Sequence, residues 1–293
     1  MSEPIRSARN KTITRLIAVH FTLTAIVNLV FFAGNTFRPL ASATGGLFTG
    51  SLLANLVFIG VLVILIILRF GGLRPYDVGF IPRHIPYGVM VTVGVWGAAQ
   101  LIHMAAGMVA YGSIAFSSEW VNPAFMIGMM LTQIFGNALF EEIAYRGFMF
   151  PQLYLRMTRL KARPWVRLAL ALLISQGLFA LSHIPNRIYL GMKPNEILLD
   201  QFMLLGWGTL YTLIYLRTDN LFIVVGIHAL GNTPTTLFRT IPLLSGDGAS
   251  ILIYTLVILY LFGLPLLRAR RQRVRLHLTA DTENEALDGE AAF

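Results

Sequence analysis

The chain has 293 residues, of which 56% are hydrophobic and only 13% charged, and its mean hydropathy of +0.67 excludes an ordinary soluble domain with a watery surface. It contains no cysteine, which excludes disulfides, thiolate metal ligands and a cysteine nucleophile together. The net charge of +9 needs no nucleic acid, because its Arg and Lys residues cluster where the loops of a membrane protein carry them.

Apolar runs predict about eight transmembrane helices, over residues 15–34, 49–68, 87–110, 122–157, 166–184, 197–216, 221–238 and 250–267. The fold class is therefore all-α, a polytopic membrane protein. The first run has the look of a secretory leader ending at Ala41-Ser42-Ala43, but its length and its distance from that triplet favour a retained helix. Basic residues alternate between connections. One set holds Arg6, Arg9, Lys11 and Arg15, then Arg69, Arg74 and Arg83, then Arg156, Arg159, Lys161 and Arg163, then Arg217 and the run from Arg268 to Arg275. The other set holds only Arg38, Arg187, Lys193 and Arg239. The positive-inside rule then predicts a multi-pass protein with both termini in the cytoplasm, and the RARRQRVR run suits contact with anionic membrane lipid. Residues 1–275 read as one transmembrane domain and 276–293, with DTENEALDGE, as a disordered acidic cytoplasmic tail. No internal repeat and no second, soluble domain is visible.

The fourth run is too long for one straight crossing. Gly136-Asn137 offers a place to break and restart it, with Asn137 as N-cap. The restarted helix carries FEEIAYRGF, and charges inside a membrane are costly enough to be functional candidates. Glu142 and Arg146 stand at i and i+4, the spacing at which a carboxylate and a guanidinium meet, and burial makes such a pair nearly obligatory. Glu141 points about 100° away, has no local cation, and is left available as a general base.

The fifth run ends in FALSH, with Phe179 and His183 one turn apart, and the seventh carries HALGN, with His228 and Asn232 one turn apart. Counting from the nearest cytoplasmic basic residue at about 1.5 Å per residue places Glu141, His183 and Asn232 roughly 22–24 Å deep and His228 roughly 16 Å deep. Three helices thus bring polar residues to one layer. Phe179 reads as packing beside it, and His20 and His103 as hydrogen-bonded packing residues. Asp200 and Gln201 fall near a membrane face and receive no role. Asn232 suits either a hydrogen bond between helices or a place in the site.

Together, EExxxR (Glu141, Glu142, Arg146), FxxxH (Phe179, His183) and HxxxN (His228, Asn232) resemble the CAAX protease and bacteriocin-processing family, CPBP or Abi, which includes the Rce1-like endopeptidases. The resemblance covers a motif-bearing core at 137–232. It implies an eight-helix bundle around a water-filled intramembrane polar cavity, and an intramembrane peptidase that hydrolyses a membrane-associated peptide or protein, such as one with a lipidated CAAX-like C-terminus. By the same resemblance Glu141 and His183 activate water, His228 and Asn232 stabilise the oxyanion, and Glu142, Arg146 and Phe179 support them.

Other intramembrane protease designs are missing their signatures: there is no HExxH and no GxSxG, and Tyr76-Asp77 and Gly246-Asp247 fall in loops. No cofactor or metal is expected, although Glu141, His183 and His228 have the donor types zinc accepts. Two alternatives remain at this level. One is a membrane scaffold or bacteriocin-immunity protein of the same family, and the other a proton-coupled transporter, which would also bury Glu, His and Arg.

Overall fold

The computed structural model describes residues 5–9 and 11–263; the basic run at 268–275 and the acidic tail at 276–293 lie outside the described residues. Among the described residues the protein is all helix, turn and loop, with one isolated bridge between Phe116 and Phe238. Six helices are long and apolar enough to cross a membrane: α1 Thr12–Phe32, α2 Gly50–Phe70, α3 Pro82–Tyr111, α4 Pro123–Met157, α5 Pro164–Tyr189 and α6 Pro194–Thr218. Two shorter apolar helices follow, α7 Leu221–Asn232 and α8 Asp247–Leu261. Large apolar side chains stand on the outside of this bundle, among them Leu101, Leu199 and Phe202, each more than 60% exposed. Such a surface matches a lipid solvent, and the protein is a polytopic membrane protein.

Local chemistry sets the helix starts. Asn122 caps α4, its side chain accepting from the Phe125 N–H, with Pro123 in the first turn where its missing N–H costs nothing. Asn220 caps α7 by accepting from the N–H groups of Phe222 and Ile223. The seventh helix stops at Asn232, six residues short of the predicted end at 238. Pro234 explains this, because the residue before a proline is pushed out of the α region, and Thr233 sits at φ −144°, ψ 87°.

The expected break at Gly136-Asn137 does not occur. Instead α4 runs through two π-helical stretches, Thr132–Ala138 and Glu142–Met149. The Leu139 N–H reaches back five residues to the Ile134 carbonyl, and the Phe150 N–H to that of Tyr145. Widened turns of this kind often mark functional sites in helices. The side chain of Asn137 caps nothing; its amide donates to Gln133 Oε1 at 3.2 Å, and its oxygen accepts from Asn55 on α2.

Helix α7 occupies the centre. About 18 Å long at 1.5 Å per residue, it is apolar apart from His228 and Asn232, and all its residues except Phe222 and Asn232 are buried. It packs on α3, α4, α6 and α8. Two apolar clusters flank it. One joins α1, α2 and α4 through Leu16, Leu62, Ile67, Phe140 and Phe148; the other joins α3, α6, α7 and α8 through Val95, Ile214, Ile227 and Ile253. Gly147 lets the second π stretch lie directly on the loop before α3, since a Cβ there would fall 2.1 Å from the Val78 carbonyl oxygen.

Candidate active site

A cavity of about 740 Å³ opens between these clusters, and Glu141, Phe179, His183, His228 and Asn232 all line it. The two adjacent carboxylates of α4 are not equivalent. Glu142 is wholly buried, whereas the Glu141 side chain keeps 16% of its surface exposed in the cavity.

The Glu141 carboxylate lies between two imidazoles. Its Oε1 is 3.6 Å from His183 Nε2 and its Oε2 is 3.6 Å from His228 Nε2. Both distances exceed a direct hydrogen bond, so the carboxylate and the two imidazoles face one another at the cavity wall without bonding.

His183 sits where α5 turns, at Ser182 and His183, before Pro185. A helix end leaves carbonyls unpaired, and that of Phe179 accepts both Ser182 Oγ–H at 2.7 Å and His183 Nδ1–H at 2.9 Å. Only a protonated nitrogen can bond a carbonyl, so the neutral ring presents a lone pair on Nε2 to Glu141. The one-turn spacing in FALSH therefore works through the backbone of Phe179. Its ring also contributes, standing 4.8 Å from the His183 ring and 4.5 Å from the Arg146 guanidinium.

His228 bridges both carboxylates. Its Nδ1–H donates to Glu142 Oε1 at 2.6 Å while Nε2 faces Glu141, and the ring of Tyr211 stacks on it at 4.5 Å. The Tyr211 hydroxyl is in turn fixed by that of Tyr254 at 2.5 Å. Arg146 Nη1 lies 3.2 Å from the same Glu142 Oε1, so the pair expected from i and i+4 spacing is present and wholly buried. The contact of Glu142 with His228 was not legible, because it joins residues 86 apart.

Asn232 stands one turn beyond His228 in the cavity wall, its amide donating to Gln133 Oε1 at 3.2 Å. Gln133 thus accepts from both Asn232 and Asn137, and with Asn55 they form a line of amides along one wall. Asn55 and Gln133 were missed at the sequence level, although an amide inside an apolar run is itself a signal. Tyr211 and Tyr254 carried none.

His20 lines the cavity as well, its Nδ1 3.0 Å from the Tyr145 hydroxyl and its ring packed edge-on against Phe140. His103 bonds Thr240 Oγ1 at 3.3 Å, away from the site. Asp200 is clasped by Arg187 at 2.8 Å, a partnership not expected from the sequence, and Gln201 makes no hydrogen bond with its buried amide. Among the described residues, no group of three or more His, Asp or Glu side chains is gathered to hold a metal ion.

Residues 122–234, which enclose every motif residue above, match the family model described as type II CAAX prenyl endopeptidase Rce1-like. No curated protein and no solved structure matches the chain significantly. Over this segment, which runs from the cap of α4 to just past the end of α7, the chain is similar to the Rce1-like family.

Proposed function

We propose that the protein is an intramembrane endopeptidase that hydrolyses a peptide bond of a membrane-associated substrate, with a lipidated CAAX-like C-terminus as the first substrate class to try. The observation that carries this reading is the Glu141 carboxylate, flanked at 3.6 Å by the Nε2 atoms of His183 and His228 at the wall of a large cavity. A water in the cavity beside these groups donates one hydrogen to Glu141 and the other to the lone pair of His183 Nε2, which aims its oxygen outward.

Glu141 takes the water's proton as hydroxide adds to the carbonyl carbon. The new oxyanion is met by His228 Nε2–H, on the ring that the buried Glu142 carboxylate holds through Nδ1, and by the Asn232 amide. When the C–N bond breaks, Glu141 returns the proton to the departing amine. Arg146 balances the charge of Glu142 and keeps it buried beside His228. Every proton thus moves among groups of this chain.

The test is product analysis. Purified protein in liposomes is given a farnesylated peptide with a CAAX-type tail in ¹⁸O-labelled water. Two fragments should form, with one ¹⁸O atom in the newly made carboxylate. Intact peptide after prolonged incubation, with the protein still folded, overturns the peptidase reading and favours a scaffold or transporter.

A further inference from the structure

Among the described residues that line the cavity, Arg187 is the one Lys or Arg, and the acidic residues are Glu141 and Asp247. It follows His183 by one turn, its N–H donating to the His183 carbonyl at 3.1 Å. A negative group entering this space finds, among the described residues, one permanent cation in the wall, and it stands next to the proposed chemistry.

The guanidinium is already shaped around a carboxylate. Its Nε donates to Asp200 Oδ2 at 2.8 Å and its Nη2 to Asp200 Oδ1 at 3.3 Å, the fork geometry that guanidinium and carboxylate prefer. Its Nη1 donates to Asn186 Oδ1 at 2.9 Å, and Asn186 is itself pinned by its Nδ2 on Asn28 Oδ1 at 2.8 Å. Of the five N–H groups a guanidinium carries, three are engaged and two remain. The pair is also wet, with 20% of the Arg187 side chain and 23% of the Asp200 side chain exposed.

We propose that Arg187 is a specificity-determining residue that binds the free C-terminal carboxylate of a peptide substrate, with Asp200 as the internal carboxylate that holds the guanidinium in place until then. This rests on the peptidase reading of the same cavity and adds to it which end of the peptide is recognised. An extended peptide advances about 3.3 Å per residue, so a carboxylate on Arg187, one turn from His183, puts the scissile bond within a few residues of the C-terminus.

The experiment measures binding apart from turnover. Full-length Glu141→Gln protein in liposomes is titrated with two labelled farnesylated peptides, identical except that one ends in a free carboxylate and the other in a carboxamide. The free acid should bind about tenfold or more tightly, as a charge-assisted fork requires. Adding Arg187→Gln should erase the difference. Because that change strands Asp200, Arg187→Gln with Asp200→Asn is measured too and should erase it equally. Asp200→Asn alone should keep the preference and tighten binding of the free acid. Equal binding of the two peptides, absence of binding by either, or a preference that survives in the Arg187→Gln/Asp200→Asn protein overturns the proposal. Cleavage by the protein with Glu141 intact is scored separately: a preference without cleavage sinks only the peptidase reading, and cleavage without a preference sinks only this one.

Discussion

Glu141 and Glu142 are neighbours with different surroundings, and the differences lead to separable expectations. Glu142 touches Arg146 and His228 and is wholly buried, so Glu142→Gln strands a guanidinium and loosens an imidazole at once. Losing one partner of a buried pair costs about 3–5 kcal/mol, so this variant should melt earlier and cleave more slowly. Adding Arg146→Met should restore part of the melting temperature but not the rate, since His228 still lacks its carboxylate. If Glu142→Gln melts normally, the buried pair is not the support argued here. The sequence alone separated the two residues into a base and a structural partner, because only Glu142 has a cation at i+4; it did not show that Glu142 also holds His228, since nothing local links them. Both imidazoles spend Nδ1 on a carbonyl or carboxylate, the chain has no HExxH, and Asn232 stands where a further strong nitrogen or sulfur ligand would be needed. Turnover should therefore persist in chelator, and purified protein should carry well under one equivalent of zinc by elemental analysis. Activity lost on metal removal and regained with zinc would refute this.

At the level of helices, α4 carries most of what the sequence could not foretell. Its length and its polar residues were plain, but π-helical turns leave no periodic mark, and the partners of Asn137 lie partly on another helix. The result is one uninterrupted helix where a break was expected. The end of α7 was, by contrast, available in Pro234, and the caps at Asn122 and Asn220 follow ordinary rules. The second π stretch depends on close approach to the loop at Val78, where Gly147 leaves room for the backbone and nothing more. Gly147→Ala should displace the helix beside Arg146 and cost about 1–3 kcal/mol, read as a lower melting temperature with reduced cleavage. A normal melting temperature for Gly147→Ala would show that this contact yields without strain.

For the molecule as a whole, a mean hydropathy of +0.67 together with apolar runs long enough to cross a bilayer as helices pointed to an all-α membrane protein. The centre was harder to foresee. That α7, only 12 residues long, is enclosed by its neighbours follows from packing between distant segments. We propose that both termini face the cytoplasm, on the strength of the alternating basic loops. Reporter fusions at residue 5 should then behave as cytoplasmic and fusions beside Ser117 as external. The reverse pattern would invert the side from which substrate reaches the cavity.

The most direct measurement is the single-turnover cleavage rate of a liposome-embedded farnesylated peptide by the native protein and by Glu141→Gln, with melting temperature recorded for both. Glu141→Gln keeps size and hydrogen-bonding capacity but cannot accept water's proton, so the rate should fall by about 10²–10⁴-fold or more while the melting temperature hardly moves. A Glu141→Gln protein that cleaves at the native rate would contradict the assignment of Glu141 as the base.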